Sequence, residues 1–365
     1  MRTITRTIIL LINLLFLLVS CLIIISVNYY NEKIWFISLI GFANSTLLII
    51  HLFFGVFWLF CRHKYYSIIS TICIIAGIYA GGSPFEINGK EDKVGMTLVS
   101  YNVRNFDLYN WRGNFKRRDS IIKYLTEIKP DIICFQEYYN DKVNTYNTND
   151  SLKRILNLPY VHYESLIKVD NLYDFGLATL SRYPIIRQIK LFKSKRSTNN
   201  VMVTDVIVHG DTIRIFNCHL ESFHLEKSNF TTIGKIQSHE YSENDSTELN
   251  NLLGKFKKAT IKRSGQSDTL SDAIKNSPYP VIVCGDFNEI ECSYTYHKIK
   301  THNNLIDAFR ESGRGLGGTF IGKLPSFRID YILHSQKIST WNFVTGKRKL
   351  SDHFAIYCKF DIESK

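Results

Sequence analysis

Six short stretches of the chain place carboxylates, amides and imidazoles at the ends of apolar runs. In order they read TLVSYNVRNFD, DIICFQE, NCHLES, VIVCGDFNE, FRIDYIL and LSDHFA, between Thr97 and Ala355. These are the groups that cutting a phosphodiester requires. Charge on the non-bridging oxygens must be neutralised, a water must lose a proton, and the leaving oxygen needs a proton or a cation. A hard cation such as Mg²⁺ prefers oxygen ligands and keeps several waters, so one or two carboxylates suffice.

Glu137 ends the run Ile132-Ile-Cys-Phe-Gln-Glu. A carboxylate at the end of a buried strand is costly unless it is paired or bound to metal. Asn102 ends Leu98-Val-Ser-Tyr-Asn, where an amide also suits an ordinary turn. Asp286 and Asn288 follow Val281-Ile-Val-Cys-Gly285, and the glycine permits a tight exit from the strand. Two residues apart in an extended segment, they point the same way. One can take a proton from water while the other donates to a phosphate oxygen; an Asx turn is the plainer alternative. Asp352 and His353 are adjacent, so in a loop they contact different partners. Asp330 can orient His353, as carboxylates orient imidazoles elsewhere. His219 follows the apolar run Ile213–Phe216 and can meet a phosphate, although a lone histidine is more often structural. No G-x-S-x-G and no local Cys/His signature is present, which disfavours covalent catalysis.

Elements that position these groups are visible as Val-, Ile- and Phe-rich runs. They are Thr97–Tyr101, Asp131–Phe135, Leu177–Leu180, Met202–Val208, Ile213–Asn217, Val281–Cys284, Ile329–Leu333 and Phe354–Phe360. Several lack strict alternation, as strands covered on both faces do. Arg117–Ile128 has helical apolar spacing and must stop before Pro130. Asn250–Lys262 reads as a basic helix, either over the site or as a solvated face. The mixture predicts an α/β or α+β sandwich with sheets inside and helices outside. Eight cysteines form no C-x-x-C pair, so zinc and thiol-redox motifs are absent and buried free thiols are expected.

The mean hydropathy of −0.08 averages two unlike parts. Residues 1–82 are almost all apolar and the rest has a soluble composition. Three runs, 7–27, 34–61 and 65–82, are long enough to cross the ~30 Å hydrocarbon core at ~1.5 Å per residue. No small-residue cleavage site follows the first run, so an uncleaved anchor is expected. Arg2 and Arg6 at one end, with Arg62, His63 and Lys64 in the second loop, place those segments in the cytoplasm. Three crossings then put everything after Gly82 outside it. Asn44 and His51 lie mid-span and are expected to bond between helices. The formal net charge of +12 favours polyanions or anionic headgroups without specifying either.

Taken in order, the six motifs resemble the endonuclease/exonuclease/phosphatase superfamily, over about Met96 to Phe360. The resemblance implies the deoxyribonuclease I-like fold. That is an α/β (α+β) four-layer sandwich, two β-sheets face to face flanked by helices, here after N-terminal transmembrane α-helices. The domains would be a membrane domain at 1–82, a linker at 83–95 and a catalytic domain at 96–361. By resemblance, Glu137 is the main ligand of Mg²⁺ (or Mn²⁺), with Asn102 and Asp352 around it. Asp286, Asn288, Asp330, His353 and His219 match the positions that act on water and phosphate. Either Asp286 or the Asp330–His353 pair is the base. Gly176–Pro184 resembles the family's strand before the H-L-x-S motif, here His219 to Ser222, and Gly317–Phe320 its substrate-side loop. The H-L-E-S segment is more similar to tyrosyl-DNA phosphodiesterases and metal-dependent deoxyribonucleases than to abasic-site endonucleases. The implied partner is a phosphate ester: DNA, RNA or a nucleotide, with a phospholipid or sphingomyelin diester as the alternative. Intact acids and imidazoles speak against a membrane scaffold that only binds nucleic acid.

Overall fold

The computed structural model describes residues 3–110, 116–141, 148–169, 173–192, 198–238, 246–322 and 327–363. Arg2, used above for orientation, lies outside them. Three apolar helices open the chain: α1 (Thr3–Asn28), α2 (Asn44–Leu59) and α3 (Ser67–Gly81). The stretches Ile4–Asn28, Glu32–Leu59 and Lys64–Gly81 are long and apolar enough to cross a membrane. The second is not one continuous α-helix. Its first part, Glu32–Ala43, is a 3-10 segment that lies against the downstream domain.

A two-residue strand, β1 (Glu86–Ile87), follows. The remaining chain runs β2 (Met96–Asn102), α4 (Lys116–Ile128), β3 (Ile132–Asp141), α5 (Thr148–Leu156), β4 (Tyr160–Val169), β5 (Tyr173–Ser181), β6 (Ile185–Lys190), β7 (Asn200–Val208) and β8 (Asp211–His219). It continues with α6 (Lys227–Gln237), α7 (Ser246–Lys275), β9 (Val281–Asp286), α8 (Tyr294–Lys300), β10 (Ile306–Asp307), α9 (Ala308–Ser312), β11 (Arg314–Gly315), β12 (Asp330–His334), β13 (Ile338–Thr345) and β14 (Ile356–Ile362). All eight strand-like runs are strands. The basic helix is longer than its charge pattern indicates, reaching Lys275.

Two six-stranded sheets form, in the orders β13-β14-β2-β3-β5-β4 and β10-β12-β9-β8-β7-β6. Side chains alternate across each strand, so one set points between the sheets. Leu98, Ile132 and Cys134 from the first meet Ile215, Ile282 and Cys284 from the second in a shared core. The opposite sets, such as Val99 and Phe135 or Phe216 and Val283, pack under α4 and α5 or under α7 and α8. The result is four layers, helix–sheet–sheet–helix, and both strand faces are dry. Cys134, Cys218, Cys284 and Cys358 are buried free thiols in this interior.

Strand direction decides where the polar residues go. β2 pairs with β3 in parallel, and β8 with β9 in parallel, so the four carboxyl ends share one rim. Asn102 there faces Gln136, and His219 faces Asp286. β12 runs antiparallel to β9, which sets its first residue, Asp330, opposite Asp286. β14 runs antiparallel to β2, so the preceding Asp352-His353 returns to the same rim. Beneath it, Asn217 ties the sheets together: its amide donates to the Phe135 and Ala178 carbonyls, and its oxygen accepts from Gln136.

The apolar helices dock on this domain rather than trailing from it. Val27, Leu47 and Ala80 pack with Ile290 and Cys292, and Phe42 stacks edge-on to Phe327 at 5.2 Å. A Cβ at Gly41 would overlap the Cys292 carbonyl oxygen, so only glycine admits this approach. The orphan carbonyls ending α3 are also satisfied from the domain. His297 Nε2 donates to Ala80 O at 2.7 Å and Arg310 Nη2 to Gly81 O at 2.8 Å. The other end of the bundle is basic, where Arg6 donates to His63 Nε2 at 2.6 Å.

Candidate active site

Glu137 stands at a break in the β3–β5 register between Phe135 and Tyr138, with φ of 46°. A bulge of this kind re-aims one side chain of a strand, and here it turns a carboxylate towards the rim. Asn102 is fully buried beside it. The Arg104 amide donates to Asn102 Oδ1 at 3.1 Å, which fixes the side-chain amide with its nitrogen forward. That nitrogen donates to Glu137 Oε1 at 3.2 Å and to Asp286 Oδ2 at 3.0 Å. One amide thus joins carboxylates from both sheets. Gly285, at φ of 130°, has the Cys218 carbonyl where a Cβ would stand, so β9 can deliver Asp286 only with glycine there.

Two imidazoles close the group. His219 Nδ1 donates to the Thr198 carbonyl at 3.2 Å, leaving Nε2 3.6 Å from Glu137 Oε1 and 3.9 Å from Asp286 Oδ2. His353 Nδ1 donates to Asp330 Oδ2 at 2.9 Å, and its Nε2 is 3.6 Å from Asp286 Oδ2. Burial raises the Asp286 carboxyl above its ordinary value, with Asp330 adding to the effect while His353 and His219 oppose it. Burial by itself would lower the His353 imidazole. The Asp330 and Asp286 carboxylates outweigh it and hold His353 well above the usual histidine value.

The remaining candidates stand differently. Asn288 has φ of 52° and does not continue an extended segment. Its amide N–H donates to Asp286 Oδ1 at 2.8 Å, and its side chain donates to Leu220 O at 3.0 Å. The expectation that Asp286 and Asn288 share one direction is therefore corrected: the pair forms an Asx turn that braces Asp286. Asp352 contacts Arg104 at 3.5 Å and Ser351, while His353 turns to Asp330, so the adjacent pair does divide between partners. Ser222 is bonded to exposed His224 at 3.1 Å. Phe320 bridges to the His353 backbone, and the two rings lie 5.3 Å apart.

Three supports escaped the sequence reading. Thr319 is fully buried, and its hydroxyl accepts the Ile329 and Asp330 amides. Arg328 is buried, with both terminal nitrogens on Asp307 and Nε on Glu291, which fixes the approach to Asp330. Arg263 of α7 bonds Glu289 and the Glu221 carbonyl, fastening the long helix beside His219. The R-I-D motif contained one of these signals, since an arginine beside a buried strand needs acids nearby.

Asp286, Asp330 and His353 offer ligand atoms that all lie within 4.8 Å of one another. These three groups could hold a metal ion, and His353 Nδ1 is bonded to Asp330 within the trio. Glu137 has the character a hard cation needs: a carboxylate 31% exposed, contacting an amide and an imidazole.

Comparison with known proteins matches residues 99–353 to the endonuclease/exonuclease/phosphatase family. Residues 6–83 match a domain family of unknown function. No curated protein matches the chain. Among solved structures, the human Nocturnin catalytic domain with bound sulfate has 16% identity and a TM-score of 0.51, covering 76% of this chain and 97% of that one. An endonuclease/exonuclease/phosphatase family protein from Leptotrichia buccalis has 17% identity and a TM-score of 0.49, covering 73% and 100%. D. rerio TDP2 with a single-strand DNA product has 17% identity and a TM-score of 0.47, covering 74% and 100%. With its two sheets, its rim of acids and imidazoles and a family match over most of its length, the chain belongs to the endonuclease/exonuclease/phosphatase family.

Proposed function

We propose that this family member is a membrane-anchored, divalent-metal-dependent phosphodiesterase acting on nucleic acid or nucleotides. The observation that carries the reading is the Asn102 amide joining Glu137 and Asp286, with His219 facing both acids and His353 facing Asp286. Hard oxygen donors fit Mg²⁺ or Mn²⁺: the Glu137 carboxylate would hold it, with Asp352 as a further donor, whereas Asn102, expected from the sequence as a ligand, has its oxygen on the Arg104 amide and would position Glu137 through its nitrogen. When bound, the cation would supply positive charge against the phosphate oxygens. Asp286 takes the proton of the attacking water, helped by the raised affinity for protons that burial gives it. His219 points Nε2 at Glu137 and Asp286 and His353 points Nε2 at Asp286, where each can donate to a phosphate oxygen. Asp330 keeps His353 charged and fixes its orientation, and the Asn288 amide steadies Asp286. Exposed Lys257, Lys258 and Lys262 on α7, beside the His219–Glu221 segment, favour a polyanion.

Membrane insertion is supported by apolar side chains that face outward on all three helices. Leu11, Leu18, Phe53 and Ile75 are more than half exposed, a surface that lipid covers and water does not. The basic end of the bundle lies opposite the catalytic domain, and the tendency of basic ends to stay in the cytoplasm supports a catalytic domain on the other side. A second reading, a lipid phosphodiester as substrate, is favoured by bundle packing at Ile290 and Ile329, close to Asn288 and Asp330.

Full-length protein in detergent is expected to hydrolyse DNA, RNA or nucleotide diesters with Mg²⁺ or Mn²⁺ and to stop in EDTA. Glu137→Gln and His353→Ala should each lower kcat by ~10²–10⁴-fold. EDTA-insensitive turnover, or near-parental rates in both variants, contradicts the mechanism; turnover confined to phospholipid or sphingomyelin diesters selects the second reading. A phosphatase reporter fused after Lys365 should be active, and activity of a cytoplasm-only reporter instead reverses the orientation. In metal-free protein, NMR titration should find His353 protonated above the ordinary 6.5, and Asp330→Asn should bring it down. Because the folded value is raised, this ion pair stabilises fully below about pH 6.5 and is lost as pH rises through the raised value. An unchanged titration in Asp330→Asn would contradict the pairing.

A further inference from the structure

Between α3 and the sheets lies the ribbon β1–β11, with Glu86 opposite Gly315 and Ile87 opposite Arg314. Glu86 turns inward to Arg310 Nη1 at 2.8 Å. Phe85 stands in the bend just before the strand, and alternation turns Ile87 outward. They are 50% and 77% exposed. Leu316 directly follows Gly315 and is 73% exposed. Single exposed apolar residues are ordinary; three gathered about one two-stranded ribbon, on which Ile87 marks the outward face, are not. Exposed Arg314 shares that face, where a long stem can cover apolar surface while its head stays among charged groups.

Position identifies what covers this face. Phe85 follows Gly81, the last residue of α3, by four residues, a reach of about 14 Å when extended. Tyr29, Ile34 and Phe36 are exposed at the same end of the bundle, and Trp35 lies among them. We propose that Phe85, Ile87 and Leu316 form a membrane-contact surface seated in the headgroup layer of the bilayer. This rests on the reading of α1–α3 as membrane helices. The contact bears on the active site because Leu316 opens the loop to Phe320. Thr319 in that loop accepts the Asp330 amide at 3.1 Å, and Phe320 bridges to His353. The His353 side of the site is thereby held at the lipid surface, where phosphate esters gathered on that surface reach it directly.

The test uses Leu316→Trp and Ile87→Trp in the full-length chain, reconstituted in phosphatidylcholine vesicles brominated near the glycerol end of the acyl chains. Emission added over the parent should be quenched at least half as strongly as that of Trp35, read as parent minus Trp35→Phe. Ile155→Trp on α5, which packs on α4, β3 and β4, should stay unquenched. If Trp35 is quenched while both ribbon positions behave as Ile155→Trp does, the proposal falls and the membrane reading stands. If Trp35 is itself unquenched, the membrane reading falls and the proposal with it.

Discussion

One side-chain amide sets the terms for the whole rim. Asn102 Nδ2 lies 3.2 Å from Glu137 Oε1 and 3.0 Å from Asp286 Oδ2, so the two acids share a single donor. Oxygens that share a nitrogen lie no more than about 6 Å apart, and two full charges at that separation repel by about 3 kcal/mol at an effective dielectric of about 20. Burial of Asp286 adds to the cost. The Asn102 amide, the Asn288 N–H and the two imidazoles offset part of it, and a divalent cation would offset far more. The four-layer architecture follows from the same requirement: acids from two sheets can meet only if the sheets pack face to face with their carboxyl ends aligned.

The supporting structure is organised to keep that meeting rigid. Asn217 and Gln136 join the sheets directly below the acids, in a core otherwise built of apolar side chains and buried thiols. A shifted register would break both donations from the Asn217 amide and its bond from Gln136 together. Arg328 and Thr319 act likewise on Asp330, from the side that also carries Phe327 and Ile329 against the apolar helices. The bundle and the catalytic rim are therefore mechanically connected, through His297 and Arg310 on the end of α3. On this ground the apolar helices and the catalytic domain are better treated as one structure than as two separate parts.

Much of the fold could be read from residues because burial on both faces leaves uninterrupted apolar runs, and each run ends where its chemistry begins. The edge strands β4, β6 and β13 were unread for the converse reason: their exposed positions interrupt the runs, as in Ile185–Lys190, which has no fully buried residue. Asn288 was misjudged because a left-handed residue cannot be recognised from spacing alone. The bulge at Glu137 is equally silent, since the sequence there is an ordinary strand run. Docking of the 3-10 segment depends on Gly41 meeting Cys292, a contact between residues far apart in sequence that no local pattern announces. The order of the six motifs was informative where single residues were not, because parallel pairing fixes which strand ends can converge.

Glu137, and not the His353–Asp330 pair, is the proposed anchor for a divalent cation. Anomalous diffraction from crystals of the full-length protein soaked in Mn²⁺ tests it most directly. A peak within bonding distance of the Glu137 carboxylate, absent in Glu137→Gln, is the predicted result. A peak on the His353–Asp330 pair, or one at Glu137 that survives the substitution, would contradict it.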